Sequence, residues 1–438
     1  MVLAQAPAPP ASHGSDGDHN HAHAHSDTER LLGGNSGEWG VSGGNGLHSE
    51  VSEGAQSPPY PLWFRVLRYI YRISKATILC SPANFFLGVV PLAIVAAEFE
   101  WSPVAIFLLN FLAILPLAEL LSWSTEQLAG SVGQTLGGLL NATFGNAVEM
   151  IVGITALRQE KFSIVQSSMI GSILSSILLI LGSCFFTAGY KEKEVKFNVD
   201  LIGIMSSLMI VSAASLIIPS ASYFADLSAK VLQSSDDYIL KLSHIAAIIL
   251  FTFYIVYLIF QLRTHAFIFS DPDAEEPEDP ELDPWSASLV LIGATVGVSV
   301  CSDYLIDSVD GFVDQLGVSK TFIGMILVPI VGNAGEFVAT IHQARKNKMN
   351  FAIKLIVEST LQIALFVTPF LVIVGWIIGK PMSLRFDTFQ TTVLSMAVIV
   401  VNCLIRDGRS NYFEGFLLVS TYFIIAIAFY VHPDVTES

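Results

Sequence analysis

Charge is what this chain has least of. Only 14% of its 438 residues are Asp, Glu, Lys or Arg, where a water-soluble domain carries about 25%. Basic residues are the scarcer kind, 22 against 38 acids, for a net charge of −16. That balance excludes a nucleic-acid-binding surface and suits the handling of cations. Cysteine is also sparse, and Cys80, Cys184, Cys301 and Cys403 all fall in or beside apolar runs, so no secreted-type disulfide framework is readable. No apolar run opens the chain; the first starts near Ala76, so no cleavable signal peptide is expected.

What is abundant is apolar sequence, 52% of the residues, in runs that reach the roughly 20 residues needed to cross a hydrocarbon core. The pattern predicts an all-α integral membrane protein of about 11 transmembrane helices: 80–98, 102–122, 131–157, 163–186, 198–218, 240–262, 286–308, 321–344, 352–378, 385–405 and 411–431. Residues 1–75 read as a disordered cytoplasmic tail. A first transmembrane half (76–263), an acidic Pro-rich cytoplasmic linker (264–284), a second half (285–431) and a lumenal tail (432–438) follow. Basic residues collect in cytoplasmic loops. A cytoplasmic N-terminus and a lumenal C-terminus place Lys191/Lys193/Lys196, Arg345/Lys346/Lys348 and Arg406/Arg409 all on the cytoplasmic side.

The halves repeat. Gly145-Asn146-Ala147-Val148-Glu149 returns 187 positions later as Gly332-Asn333-Ala334-Gly335-Glu336, and without gaps Arg158 matches Arg345, Ser172 matches Ser359 and Ser175 meets Gln362. Similarity between apolar helices explains matched leucines but not matched Asn and Glu. The copies fall in the third and eighth spans, five apart, so one runs outward and the other inward; they are inverted repeats, five helices each with one extra N-terminal helix. That arrangement puts substrate near the midplane and permits alternating access.

An ionisable residue at mid-span costs about 2.5–3.5 kcal/mol to insert, so Glu149 and Glu336 are the first candidates for function. Asn146 and Asn333 share a helix face with them. A hard cation such as Ca²⁺ takes about six to eight oxygens, and neither motif offers the Cys or His that a soft metal prefers. Ser172, Ser175, Ser359 and Gln362 add oxygen from the following helices, although serines there fit helix packing equally well. Glu119 and Glu126 close the second span at its cytoplasmic end. Asp303, Asp307, Asp310 and Asp314 form a stripe at the outer end of the seventh, the last two read as solvated loop.

These paired motifs, with the acidic linker, resemble the cation/proton exchangers of fungal and plant vacuoles, within the calcium/cation antiporter superfamily, over roughly residues 76–431. The resemblance implies a multi-pass protein of the vacuolar membrane, not an enzyme and without a cofactor, that exchanges Ca²⁺ for H⁺. It implies cation or proton binding at Glu149 and Glu336, ligand roles for Asn146, Asn333, Ser172, Ser175, Ser359 and Gln362, and access paths at Glu126, Asp303 and Asp307. Its partners would be Ca²⁺, H⁺ and the lipid bilayer, with homo-oligomerisation left open. A Na⁺/Ca²⁺ or other cation exchanger and a cation channel are the alternatives. Two positions depart from the family pattern: Phe337 stands where a His is usual, and Glu358 where a small residue is. Glu358 is a candidate for proton handling, against a plain helix pair with Lys354. An acidic dileucine-like stretch (Asp27, Leu31, Leu32) and a His-rich tract at 19–25 are weaker signals.

Overall fold

The computed structural model describes residues 68, 69, 71, 73, 75, 77, 82–228, 235–269 and 280–431, all within one compact unit. Residues 1–67, with the dileucine-like and His-rich stretches, residues 270–279 of the acidic linker and the tail beyond Val431 lie outside the described residues.

The chain is helical nearly throughout. A 3₁₀ segment (Pro82–Gly88) leads into α1 (Val89–Glu98), α2 (Pro103–Val132), α3 (Gln134–Phe144), α4 (Ala147–Arg158), α5 (Phe162–Leu174), α6 (Leu181–Lys191), α7 (Val199–Ser228), α8 (Ser235–Ile259) and the short α9 (Ala266–Phe269). The second half holds α10 (Pro284–Asp307), α11 (Val309–Leu316), α12 (Lys320–Phe322), α13 (Val328–Gly332), α14 (Ala334–Arg345), α15 (Met349–Gln362), α16 (Thr368–Ile377), α17 (Thr388–Ile405) and α18 (Tyr412–Val431). Among the described residues eight helices are long and apolar enough to cross a membrane, ten when each of two bent pairs counts as one span; residues 84–98 form a further, shorter apolar helix.

The repeat seen in sequence is a repeat of structure. α4 and α14 occupy equivalent positions to the residue, and α5 and α15 begin at equivalent positions. Each of the latter runs into a π-helical segment, Ser175–Ile180 and Ile363–Val367. Even the backbone exceptions correspond: Glu160 (φ 61°) and Asn347 (φ 65°), 187 apart, both turn left-handed just after α4 and α14. Strand Val195–Lys196 pairs antiparallel with Arg409–Ser410, and Lys191 Nζ donates to the Arg345 carbonyl at 3.2 Å, so the three basic loops lie on one face. α4 ends at the opposite face, where Arg158 lies 4.0 Å from Asp303 and Lys161 binds Asp310. The equivalent helices α4 and α14 thus run in opposite directions.

Several expected boundaries move. Ser102 caps α2 by accepting from the Ala105 N–H at 3.3 Å, with Pro103 at the first helical position. The helix then continues ten residues past the expected end at 122, because polar side chains lower hydropathy without breaking backbone hydrogen bonds. It stops at Gly133, whose φ of 87° favours glycine. Residues 131–157 form no single straight helix: α3 and the following α4 meet at a 44° bend. The aspartate stripe is also broken, with Asp310 and Asp314 on α11 and not in a loop. The linker ends earlier than expected, since Asp283 caps α10 and Pro284 opens it.

Candidate functional site

Both motifs sit at helix breaks. Asn146 and Asn333 occupy the N-cap positions of α4 and α14 with non-helical backbone, and neither side chain caps its own helix. Their amides are therefore free to reach elsewhere. Glu149 and Glu336 stand in the first turns of those helices, where the helix dipole favours negative charge.

The amides and hydroxyls cross between the halves. Asn146 Nδ2 donates to Gln362 Oε1 at 2.6 Å, and Ser359 Oγ donates to Asn146 Oδ1 at 3.3 Å. Asn333 Nδ2 donates to the Ser172 carbonyl at 3.2 Å. Glu336 Oε2 accepts from Ser359 Oγ at 2.9 Å and from Ser176 Oγ at 3.4 Å. Glu149 leans across onto α13: a Cβ built on Gly332 would lie 2.7 Å from Glu149 Oε1. Only a residue without a side chain permits that approach.

Between them lies a small cleft, lined by Ala118, Leu121 and Ser122 of α2 and by Gly145, Asn146, Val148, Glu149, Gly332, Asn333, Gly335 and Glu336. Several oxygens in and around it are buried with no hydrogen-bond partner: Glu149 Oε2, Glu336 Oε1, Asn333 Oδ1 and Ser172 Oγ. Buried polar atoms are ordinarily paired, so a cluster of orphaned acceptors facing one space describes a site that fits a hard cation. Neither glutamate forms an ion pair among the described residues, which removes the alternative that they are a structural salt bridge.

Six of the eight expected binding residues therefore meet through side chains, namely Glu149, Glu336, Asn146, Asn333, Ser359 and Gln362. Ser172 contributes its carbonyl. Ser175 is buried outside the lining of the cleft. The sequence reading missed Ser176, which takes the place expected of Ser175. A π turn is wider than an α turn, so the face presented to Glu336 shifts where the π segment begins at Ser175. Its only sequence signal was the four-residue spacing from Ser172.

The flanking acids are not in the cleft. Asp303 lies by Arg158 and Gln159 Nε2, which donates to its carbonyl at 3.3 Å. Asp307 is exposed, and Glu126 is exposed on α2. Glu358 turns away from the cavity: Gln261 Nε2 donates to its Oε1 at 2.5 Å, and Lys354 Nζ sits 3.9 Å from the same atom. The geometry therefore supports the Lys354 pair over a place beside the cation. Phe337 is 37% exposed and does not line the cleft.

A family model described as sodium/calcium exchanger protein matches residues 102–263 and 286–431. The chain is 41% identical over 364 residues to the vacuolar calcium ion transporter of Schizosaccharomyces pombe, an overlap of 83% of this chain and 88% of that one. It is 38% identical to vacuolar cation/proton exchanger 2 of Arabidopsis thaliana, over 82% of this chain and 83% of that one. It is 36% identical to a Ca²⁺/H⁺ antiporter of Aphanothece halophytica, over 80% of this chain and 96% of that one. Among solved structures, native YfkE superposes with a TM-score of 0.69 at 33% identity, covering 80% of this chain and all of that one.

Proposed function

The chain belongs to the sodium/calcium exchanger protein family, and from that premise we propose that it exchanges Ca²⁺ for H⁺ across the vacuolar membrane, loading the vacuole with calcium. The observation that carries this reading is one cleft holding two glutamates, Glu149 buried and Glu336 half-buried, one from each inverted half, with orphaned oxygens and no basic side chain in its lining. Two carboxylates so close in a low-dielectric interior need neutralising charge. One Ca²⁺ supplies it, and so do protons, but the two cannot occupy the same oxygens together. Competition for those oxygens is the coupling. Glu149 and Glu336 are the exchanging groups; Asn146, Asn333, Ser359, Gln362, Ser172 and Ser176 hold them and complete the oxygen set, with Ser175 as packing support.

A proton gradient supplies about 1.36 kcal/mol per proton for each pH unit. A 2:1 exchange is electroneutral, and a 3:1 exchange also draws about 2.3 kcal/mol per charge per 100 mV. In this reading the transmembrane halves are 76–263 and 285–431, the N-terminus and the linker face the cytoplasm, and the C-terminus faces the lumen. Glu126 then lines the cytoplasmic approach and Asp303 and Asp307 the lumenal one. Support for the sidedness is the clustering of the basic loops on one face.

The test is ⁴⁵Ca²⁺ uptake into sealed vesicles with and without an imposed pH gradient, and with Na⁺ present and absent. Uptake is expected to follow the pH gradient and ignore Na⁺; a Na⁺ requirement would favour sodium/calcium exchange. Glu149→Gln and Glu336→Gln are each expected to abolish uptake at normal protein level. Either variant with near-normal pH-driven uptake would sink the assignment.

A further inference from the structure

A third carboxylate lies next to this site, on a helix that carries neither motif. α2 is 30 residues long, and Glu119 stands close to its middle rather than at a membrane face, which makes it costly and therefore a candidate for function. Its Oε2 lies 3.4 Å from where a Cβ on Gly335 would be, with Ser122 Cβ at 3.8 Å from the same point. Gly335 immediately precedes Glu336, and both line the cleft together with Ala118, Leu121 and Ser122, the neighbours of Glu119 on α2. The glycine leaves a gap beside the Glu119 carboxylate.

On the same helix, Glu126 follows seven residues later, a rise of about 10 Å. Seven residues complete nearly two turns, so both carboxylates lie on the same side of the helix. Just beyond it, Gln127 Oε1 accepts from the Leu282 N–H at 3.2 Å, which ties this end of α2 to the end of the acidic linker. A row of acids thus leads from the linker along α2 to the rim of the cleft. Inside the cleft, Glu149 Oε2 and Asn333 Oδ1 are unpartnered on side chains that are 5% and 3% exposed, an independent sign that something positively charged belongs there.

We infer that Glu119 is the inner carboxylate of the cytoplasmic approach, passing the divalent cation from Glu126 to the Glu149/Glu336 pair. The inference rests on the antiport reading and deepens it: Glu119 sets how readily cytosolic cation reaches the site, without belonging to the exchanging pair. A charge at the rim raises local cation concentration. Its loss acts on KM, whereas loss of an exchanging glutamate acts on turnover.

The experiment is the initial rate of ⁴⁵Ca²⁺ uptake against Ca²⁺ concentration at a fixed pH gradient, in vesicles matched for protein. Glu119→Gln is expected to raise KM about fivefold or more with Vmax held within about twofold, and Glu119→Asp, which keeps the charge, to stay near the wild-type KM. Adding Glu126→Gln to Glu119→Gln should raise KM by less than the product of the single effects, because the two act in series. An unmoved KM in Glu119→Gln overturns the inference, and so does an equal loss of Vmax in Glu119→Gln and Glu119→Asp, the sign of a packing role. Should Glu119→Gln fail to reach the membrane, Gly335→Ala decides. Its methyl would sit in ordinary contact with the Glu119 carboxylate and narrow the gap, so an unchanged KM there counts against the inference and a raised KM with steady Vmax supports it. Calcium-dependent thermal stabilisation of the purified protein gives a second reading independent of protons: Glu119→Gln should need more Ca²⁺ for the same shift. If wild-type uptake responds to the pH gradient and Glu336→Gln is inactive, the antiport reading stands, and failure at Glu119 touches this inference alone.

Discussion

Gly332→Ala is the sharpest test of how tightly the two halves hold Glu149. The added methyl carbon would lie 2.7 Å from Glu149 Oε1, 3.0 Å from Cδ and 3.2 Å from Cγ. Ordinary contact begins near 3.4 Å, so the carboxylate must retreat by about 0.7 Å. Glu149 is only 5% exposed, so it has little room to do so. Overpacking of this kind costs about 1–3 kcal/mol of stability, which a large helical membrane protein survives. Function should suffer more, since displacing a reacting group by 1 Å costs about a hundredfold; a loss of roughly tenfold to a hundredfold in Vmax/KM is expected. Gly335→Ala, whose nearest neighbour would be at 3.4 Å, is the matched comparison: its Vmax should stay within about twofold, with any loss falling on KM alone. The assay is pH-driven ⁴⁵Ca²⁺ uptake, with thermal stability in detergent measured on the same preparations. Wild-type kinetics in Gly332→Ala at equal protein level would refute the claim that Glu149 is held in register from the opposite half.

Three further outcomes are expected. Ser359→Ala removes the shorter donor to Glu336 and should reduce apparent Ca²⁺ affinity about tenfold or more, as fits a hydrogen bond to a charged group; Ser176→Ala, at 3.4 Å, should do less, and the reverse order in uptake KM would contradict the geometry. Lys354→Met leaves the half-buried Glu358 with Gln261 but without its cation and should lower thermal stability by about 1–3 kcal/mol, whereas Lys354→Met with Glu358→Leu should recover most of it; a neutral single variant would show that the pair is idle. Asp283→Ala removes the α10 cap and should cost about 1 kcal/mol near neutral pH. The Ser286 hydroxyl, first among its donors, holds the Asp283 carboxyl below the usual carboxylate range. Its contribution is therefore complete above the unfolded value and fades as pH falls through the folded one. A difference between Asp283→Ala and wild type that persists undiminished in strong acid would contradict this.

Much of this protein is written in local sequence. Scarce charge and long apolar runs select a membrane as solvent, because no other environment satisfies so much exposed hydrocarbon. The 187-residue offset yields the repeat, and the structure returns it in the bounds of α4 and α14 and in the left-handed residues Glu160 and Asn347. Glu149 and Glu336 declare themselves through the cost of burying a charge. What the sequence does not carry is direction. Ser176 faces Glu336 because a π turn begins at Ser175, and a widened turn re-aims every side chain after it. Glu119 lies at the rim of the cleft because α2 continues to Val132, which moves it from a membrane face to the middle of a helix. Glu358 adjoins Ser359 in sequence yet points to Gln261 and Lys354, since neighbours on a helix differ by about 100° in heading. The approach of Glu149 to Gly332 joins residues 183 positions apart. Contacts of that kind arise only when two halves, each ordinary by itself, pack against each other in opposite directions.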